Sequence, residues 1–256
     1  MISLLEAAKP YISNFKGIRL STRPDYIDDE ILILLKKYNV TTIELGAQSM
    51  NDTVLNANNR GHNSDDVINS SNLIKSYGFN LGLQMMTGLY KSDYKSDLYT
   101  AEQFVKLKPD CVRIYPTVIM KNTELERLYL KGEYIPYSLE ESVKLCSELI
   151  TLFNKNDIDV IRVGLHYSDS LINNDIAKIY HPAFKELCES RIILNAIKDL
   201  IKNTDKKDLT VFVNPKSLSK AIGQNRANLK ELKSSGYNIK FKTDNSLDKY
   251  EVKTGD

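Results

Sequence analysis

The sequence has few cysteines, only 3 in 256 residues. Cys111, Cys146 and Cys188 lie far apart along the chain, whereas a compact metal-binding motif holds its cysteines close together in sequence. The odd number also argues against a disulfide framework. We therefore expect no metal site in this chain, and we expect the three thiols to be reduced core residues of a cytoplasmic protein.

Long apolar runs are also missing. No run approaches the roughly 18 residues that a membrane-spanning helix needs. The N-terminal segment Met1–Glu6 has no basic stretch followed by an apolar core, so it does not resemble a signal peptide. The sequence therefore predicts a cytoplasmic protein with no membrane partner.

The chain has little net charge, but that charge is unevenly distributed. The formal net charge is +2. Residues 202–256 carry 12 Lys and Arg against 7 Asp and Glu, a net of +5, which leaves −3 for the remainder. A basic tail on a slightly acidic body indicates a polyanionic partner for the tail, and a solvated lysine-rich surface is the alternative.

Strand-like and helix-like patterns alternate through most of the chain. The spacing between successive strands leaves room for a crossover helix, so the strands are predicted to form a parallel sheet. Such sheets bind ligands at the carboxyl ends of their strands, where this sequence places polar clusters. The predicted strands are 18–22, 41–47, 80–86, 111–115 and 158–164, and the predicted helices are 3–14, 28–38, 64–77, 98–107 and 138–155.

Several of these strands carry motifs in the order found in one enzyme superfamily. The motifs are Ile18–Asp25, Glu44–Asp52 followed by Asn59–His62, Leu83–Leu89, and Val112–Thr117. They resemble strands three to six of the radical S-adenosylmethionine (SAM) enzymes, on the branch of the Elongator catalytic subunit and the oxygen-independent coproporphyrinogen oxidases. Two later segments resemble the Elongator-type branch, namely Arg162–His166 and His181–Phe184.

The resemblance implies an α/β fold, an incomplete parallel (β/α) barrel of the radical SAM type that is open on one side. We predict this barrel, with trailing helices, over residues 1–203. A small α+β domain is predicted over residues 204–256. Because an open barrel exposes strand edges, a dimer through the open edge is one expected partner arrangement.

The resemblance also implies which residues bind SAM. Gln48 matches the glutamine that hydrogen-bonds the SAM ribose, and Arg60 matches the arginine that reaches the SAM carboxylate. Ser21 and Gln84 occupy positions that are acidic SAM contacts in the coproporphyrinogen enzymes. A hydroxyl and an amide can still hydrogen-bond hydroxyls or an amine, so both remain candidates. His62 is expected to anchor a loop, and a catalytic role is the alternative.

The cofactors of the full-length parent are implied to be SAM and a 4Fe–4S cluster. The superfamily holds that cluster with a CxxxCxxC motif, and a Gly-Gly-Glu strand holds the SAM amine. Neither motif occurs in this sequence, and three scattered cysteines cannot replace the cluster ligands. We therefore interpret the chain as a fragment, inactive without the cluster-binding segment, of an enzyme that would also need a reductant protein.

The C-terminal segment resembles a KH module of the NusA type. A strand at 209–213 is predicted to be followed by two short helices and by strands at 237–242 and 249–252. KH folds bring a GxxG loop close to RNA phosphates. Here Gly223 is the first glycine and Arg226 replaces the second, while Lys220 and Lys230 are the other candidate phosphate contacts. A degenerate module kept for packing is the alternative.

Three functions follow from these motifs. The first is a fragment of a radical SAM iron–sulfur enzyme that modifies RNA, such as a tRNA base. The second is a radical SAM oxidoreductase of the coproporphyrinogen-oxidase type that acts on a small molecule and has no RNA affinity. The third is an RNA-binding protein without a cluster, built on a decayed barrel.

Overall fold

A computed structural model of the chain describes residues 2–202, 204 and 206–255. The backbone divides into two compact units. The first comprises Met1–Ser138 with Leu152–Tyr180, and the second comprises Leu139–Thr151 with His181–Asp256. The predicted boundary follows Asn203, which lies outside the described residues, so the domains 1–203 and 204–256 remain a prediction.

In the described part of the chain, the first unit contains a sheet of five parallel strands in the order of the sequence. Crossover helices between the strands account for the parallel arrangement. The edge strands β1 and β5 are not paired with each other among the described residues, and this confirms the predicted fold, a parallel barrel open on one side. The strands are β1 (Ile18–Thr22), β2 (Val40–Gln48), β3 (Asn80–Thr87), β4 (Cys111–Pro116) and β5 (Asp159–Val163).

Most helices follow the predicted pattern within a few residues, and none in the described residues is long and apolar enough to cross a membrane. The helices are α1 (Ile2–Ala8), α2 (Asp29–Lys37), α3 (Asp52–Ala57), α4 (Ser64–Ser76), α5 (Tyr94–Leu107), α6 (Glu124–Leu130), α7 (Leu139–Lys155), α8 (Asp169–Asn174), α9 (Phe184–Ile201), α10 (Leu218–Ile222) and α11 (Ala227–Ser234).

Two predicted helix boundaries were wrong, each for a local reason. The α-helix predicted over 3–14 ends at Ala8 and continues as a 3₁₀ helix over Lys9–Asn14. Pro10 lacks the N–H that the α-helical ladder needs. Helix α5 begins at Tyr94 rather than at residue 98, because the side chain of Asp93 accepts a hydrogen bond from the backbone N–H of Ser96 at 2.7 Å and caps the helix there.

The first sheet has one apolar face and one polar face. Side chains alternate along each strand, so one set faces the helices and the other set faces away. Helices α2, α4 and α5 contact strands β2 and β3. The apolar face is fully buried and includes Ile43, Leu45, Leu81, Leu83, Val112 and Ile114. The polar face carries Arg19, Ser21, Glu44, Gln84 and Arg113.

The second unit contains a three-stranded sheet in the order β7-β6-β8. Its strands are β6 (Asp208–Val213), β7 (Asn238–Thr243) and β8 (Val252–Gly255), with α10 and α11 between the first two. Strand β6 is parallel to β7 and antiparallel to β8. Strand β8 begins later than predicted, because the backbone N–H of Glu251 bonds to the carbonyl of Asp248 and closes a turn.

Helix α5 holds the loop after β3 through one buried carboxylate, Asp97. Its oxygens accept hydrogen bonds from the backbone N–H of Gly88 at 2.8 Å, from Ser92 Oγ at 2.6 Å and from Tyr137 Oη at 3.3 Å. Burial raises the pKa of Asp97 to about 6 and outweighs these bonds, and the charge of Asp93 adds to the shift. The loop is therefore fixed by a carboxyl group that titrates near neutral pH.

Replacing Asp97 should change how stability depends on pH. The pKa is about 6 in the folded chain and 3.8 in the reference state, so folding favours the protonated form. The protonated carboxyl group stabilises the folded chain fully below about pH 4, and this stabilisation is lost as pH rises to about 6. Each unit of difference between the two pKa values corresponds to about 1.4 kcal/mol of unfolding free energy. The free energy of unfolding of the wild type minus that of Asp97→Asn should fall across this window in urea titrations.

The control for that experiment is Asp65→Asn, which removes an exposed carboxylate from the first turn of α4. Its difference from the wild type should not show the same fall between pH 4 and pH 6. Parallel pH profiles for Asp97→Asn and the wild type would contradict the raised pKa.

Candidate functional site

Glu44 is the centre of a charged network on the polar face. The residue is only 1% exposed. Its Oε1 accepts hydrogen bonds from Arg19 Nη1 at 2.8 Å and Arg113 Nη2 at 2.9 Å. Its Oε2 accepts from Arg113 Nε at 2.6 Å and Gln84 Nε2 at 2.8 Å. One carboxylate from β2 therefore bonds to side chains of β1, β3 and β4.

Glu44 is held in its charged form. Burial alone would raise the pKa of Glu44, but hydrogen bonds from Arg113, Arg19 and Gln84 outweigh burial and hold that pKa below its usual value. The same hydrogen bond to Glu44 raises the pKa of Arg113. The network thus contains two guanidinium cations and one carboxylate anion at neutral pH.

A glycine in β3 makes room for this side chain. Gly82 lies between Glu44 and Cys111 in the register of the sheet. A Cβ at residue 82 would be 2.6 Å from Cγ of Glu44 and 3.3 Å from Sγ of Cys111. The carboxylate can therefore cross β3 to reach Arg113 only because residue 82 has no side chain.

Sequence reasoning missed Glu44, Arg19 and Arg113 as site residues. Each was assigned to a strand motif without a role. The signal was present, because Arg19, Glu44 and Arg113 each stand between two apolar residues in a predicted strand. Side chains alternate along a strand, so residues of opposite charge on the polar side of one sheet predict a paired cluster.

Two of the predicted residues, Ser21 and Gln84, are brought together. Gln84 Nε2 donates to Ser21 Oγ at 3.0 Å as well as to Glu44. Both N–H groups of the amide are then occupied, so only its oxygen can accept a hydrogen bond from a ligand. The pair therefore connects β1 with β3 across β2, next to the charged network.

Gln48 ends β2 in a left-handed backbone conformation, with φ of 64°. If residue 46 had a Cβ, that atom would lie only 2.9 Å from the side-chain nitrogen of Gln48. Gly46 therefore allows the amide of Gln48 to turn back along the strand. No hydrogen bond joins Gln48 to Ser21 or Gln84 within residues 2–202.

Arg60 follows α3 in the loop after β2, and it is half-buried. Its Nε is buried without a hydrogen-bond partner, and its guanidinium forms no ion pair among the described residues. Burial lowers the pKa of Arg60, the charge of Arg23 lowers it further, and the charge of Asp25 opposes both. A desolvated guanidinium with no counter-ion is suited to bind an anionic ligand such as a carboxylate.

The loop that carries Arg60 is fixed by its neighbours. His62 is buried, and its Nε2 lies 3.1 Å from the carbonyl oxygen of Ala47, so the ring anchors the loop to the end of β2 as predicted. Arg23 forms two hydrogen bonds with Asp25, at 2.9 and 2.7 Å. Because Arg23 is already paired, the guanidinium of Arg60 is left for a ligand in this part of the described chain.

The described residues do not fit a 4Fe–4S cluster. All three cysteines are buried, and Cys111 Sγ accepts a hydrogen bond from Arg19 Nη1 at 3.4 Å. Cys146 and Cys188 belong to the second unit. Within the described ranges, no group of three or more His, Cys, Asp or Glu is placed to hold a metal ion. By contrast, the unpartnered Nε of Arg60 does fit the carboxylate of SAM.

The candidate phosphate contacts in the second unit differ in their surroundings. Lys220 Nζ lies 2.6 Å from Oε2 of Glu189, which is 3% exposed and also binds Lys249 Nζ at 2.6 Å. Arg226 and Lys230 are exposed. The ammonium of Lys220 is therefore engaged in a partly buried ion pair, and the other two cations face solvent.

The loop between α10 and α11 has a positive φ at both Gly223 and Arg226. Gly223 has φ of 80°, and a Cβ there would be 2.8 Å from the backbone nitrogen of Asn228. Arg226 also takes a left-handed conformation, with φ of 62° and ψ of 30°. The position of the second glycine therefore keeps a glycine-like conformation while carrying a cationic side chain.

Comparisons with known proteins agree with this architecture. The model of the radical SAM superfamily matches residues 1–102, and that of the radical SAM C-terminal domain matches residues 109–193. The chain belongs to the radical SAM superfamily.

Its relatives include Elongator-type proteins. The tRNA uridine(34) acetyltransferase of Methanocaldococcus jannaschii is 33% identical over 131 residues, which are 50% of this chain and 24% of that protein. Elongator complex protein 3 of Homo sapiens is 32% identical over 139 residues, 53% of this chain and 25% of the relative. The chain thus spans about a quarter of the length of these homologues.

A solved structure shares the fold. The archaeal Methanocaldococcus infernus Elp3 with an N-terminal deletion superposes with a TM-score of 0.60 at 24% identity. The match covers 69% of this chain and 41% of that chain.

Removing the charge of Glu44 should destabilise the fold strongly. Glu44→Gln leaves Arg113 and Arg19, which are partly buried, without their anion, and the loss of one partner of a fully buried pair, about 3–5 kcal/mol, is the upper limit of the cost. The expected result is a large drop in the urea midpoint at pH 7. The matched control is Glu124→Gln, which removes the exposed partner of Arg127 and should lower the urea midpoint far less, because water screens an exposed ion pair. Equal losses in the two variants would refute the central role of Glu44.

Proposed function

We propose that these residues form the SAM-binding face of an Elongator-type radical SAM enzyme that modifies a base of tRNA. The observation that carries the proposal is Arg60, a half-buried guanidinium with no counter-ion at the carboxyl end of a parallel sheet. Membership of the superfamily supports the choice of ligand. We propose further that residues 1–256 alone are inactive, because the described residues offer no cluster ligands.

The cofactor would be held by groups with different tasks. Arg60 would bind the carboxylate of SAM, since its planar fork matches two oxygens. The amide oxygen of Gln84 would accept a hydrogen bond from the SAM amine, while Ser21 and Glu44 fix the orientation of that amide. Gln48 would bond to the ribose. In the superfamily, bound SAM supplies the 5′-deoxyadenosyl group, and these residues would bind and orient it.

The proposed substrate rests on two kinds of support. Both named relatives are Elongator-type proteins, and one is named as a tRNA uridine(34) acetyltransferase. The second unit presents exposed Arg226 and Lys230 beside the left-handed loop. These features favour RNA over the small-molecule alternative of the coproporphyrinogen-oxidase type. A reductant protein and a dimer through the open sheet edge remain proposals for the whole protein.

The cofactor proposal can be tested with two adenosine thioethers, of which only one carries the amino-acid group of SAM. S-adenosylhomocysteine carries the amino-acid carboxylate, and methylthioadenosine does not. Arg60→Met should weaken binding of S-adenosylhomocysteine by about 10- to 100-fold, as expected for the loss of a charged hydrogen bond, and leave methylthioadenosine unchanged. Isothermal titration calorimetry on the full chain measures both affinities.

Arg127→Met is the matched control for this experiment, because it removes an arginine that is exposed and paired with Glu124 on α6. It should bind both ligands like the wild type. If the wild type binds neither ligand, the SAM site is refuted and the RNA-binding protein without a cluster becomes the better account.

The RNA proposal predicts which cations matter. Arg226→Gln and Lys230→Gln should each weaken tRNA binding and lower the slope of log K against log salt by about 1, as expected for the loss of one phosphate contact. Lys16→Gln removes an exposed lysine of the first unit and serves as the control. Binding is measured by fluorescence anisotropy between low and moderate salt. A slope that falls equally in all three variants would indicate only non-specific attraction.

A further inference from the structure

Arg162 lies on the polar face of the sheet, in β5. It pairs in register with Arg113 of β4 because the register shifts after Val112. The next pair, Val163 and Ile114, is buried on the apolar face. Since side chains alternate along a strand, Arg162 and Arg113 share the polar face. Two arginines are thus register partners on neighbouring strands.

No acidic side chain of the described residues forms an ion pair with Arg162. Its side chain is half-buried and forms no hydrogen bond or ion pair with any described residue. Glu44 is the nearest acid in the network, but its two oxygens already accept four hydrogen bonds. A carboxylate has about four acceptor sites, so Glu44 is saturated. Asp159 lies at the opposite end of β5 and is exposed.

This arrangement leaves an excess of positive charge on the polar face. Arg19, Arg113 and Arg162 supply three cations, and Glu44 supplies one anion. Like charges directly opposite each other in a sheet are destabilising, and a half-buried guanidinium without a partner loses hydration. An anion bound between β4 and β5 would relieve both costs.

We propose that Arg162 binds a backbone phosphate of the RNA substrate on this face, beside Arg113. The inference rests on the proposed function, and it names the part of the substrate that the site recognises. RNA carries its negative charge on phosphates, and the fork of arginine fits two phosphate oxygens. The position is distinct from the proposed cofactor residues, which lie on β1, on β3, at the end of β2 and in the loop after β2.

The test compares uridine 5′-monophosphate with uridine as probes for the full chain in calorimetric titrations. The wild type should bind the monophosphate more tightly than the nucleoside. Arg162→Gln should weaken monophosphate binding by about 10- to 100-fold and leave uridine and S-adenosylhomocysteine unchanged. Arg162→Lys should restore part of the affinity, because it keeps the charge but not the fork. Arg127→Gln is the control, and a thermal melt checks that each variant is folded.

The outcomes separate this inference from the function on which it rests. Equal binding of monophosphate and nucleoside by the wild type, or wild-type affinity in Arg162→Gln, would overturn the phosphate site and leave the cofactor proposal intact. Weaker binding of S-adenosylhomocysteine in Arg162→Gln would also overturn it, because the anion would then be the cofactor carboxylate. If S-adenosylhomocysteine does not bind at all, the enzyme function fails, and the loss of monophosphate affinity in Arg162→Gln still supports the phosphate site.

Discussion

The first unit depends on one buried carboxylate that joins three neighbouring strands to its own. Glu44 is almost inaccessible to solvent, and it receives four hydrogen bonds from Arg19, Gln84 and Arg113. A buried carboxylate without such partners would be strongly unfavourable, so the sheet must hold β1, β3 and β4 in a fixed register. The absence of a side chain at Gly82 is part of the same constraint.

The saturation of Glu44 determines which cations are left for ligands. Arg19 and Arg113 share its charge, whereas Arg60 and Arg162 have no acidic partner among the described residues. Both are half-buried, so water compensates their charge less than it would at an exposed site. The two unpaired guanidiniums therefore support the two anion positions that we propose, one near the loops that follow β1 and β2 and one between β4 and β5.

The sequence predicted the fold better than it predicted the site. Periodicity and strand motifs placed the five parallel strands within a few residues, because those signals are local. The hydrogen bond between Ser21 and Gln84 is consistent with grouping them, although they were chosen by resemblance. Glu44 and its arginines were missed because their pairing depends on register, which aligns residues such as Glu44, Gly82 and Cys111 that are distant in sequence. Boundaries failed at Pro10 and Asp93, where a single residue decides the local hydrogen bonding.

The second unit also contains a buried carboxylate that is paired with cations. Glu189 is buried and accepts hydrogen bonds from Lys220, Lys249 and Tyr250. Burial would raise the pKa of Glu189, but the lysines hold it below its usual value, so the ammonium of Lys220 is committed to that carboxylate at neutral pH. The net positive charge of residues 202–256 is therefore larger than the charge that is available to bind a polyanion. Only cations that are not paired with a buried acid can meet a polyanion. In the loop before α11 and on that helix, the exposed candidates are Arg226 and Lys230.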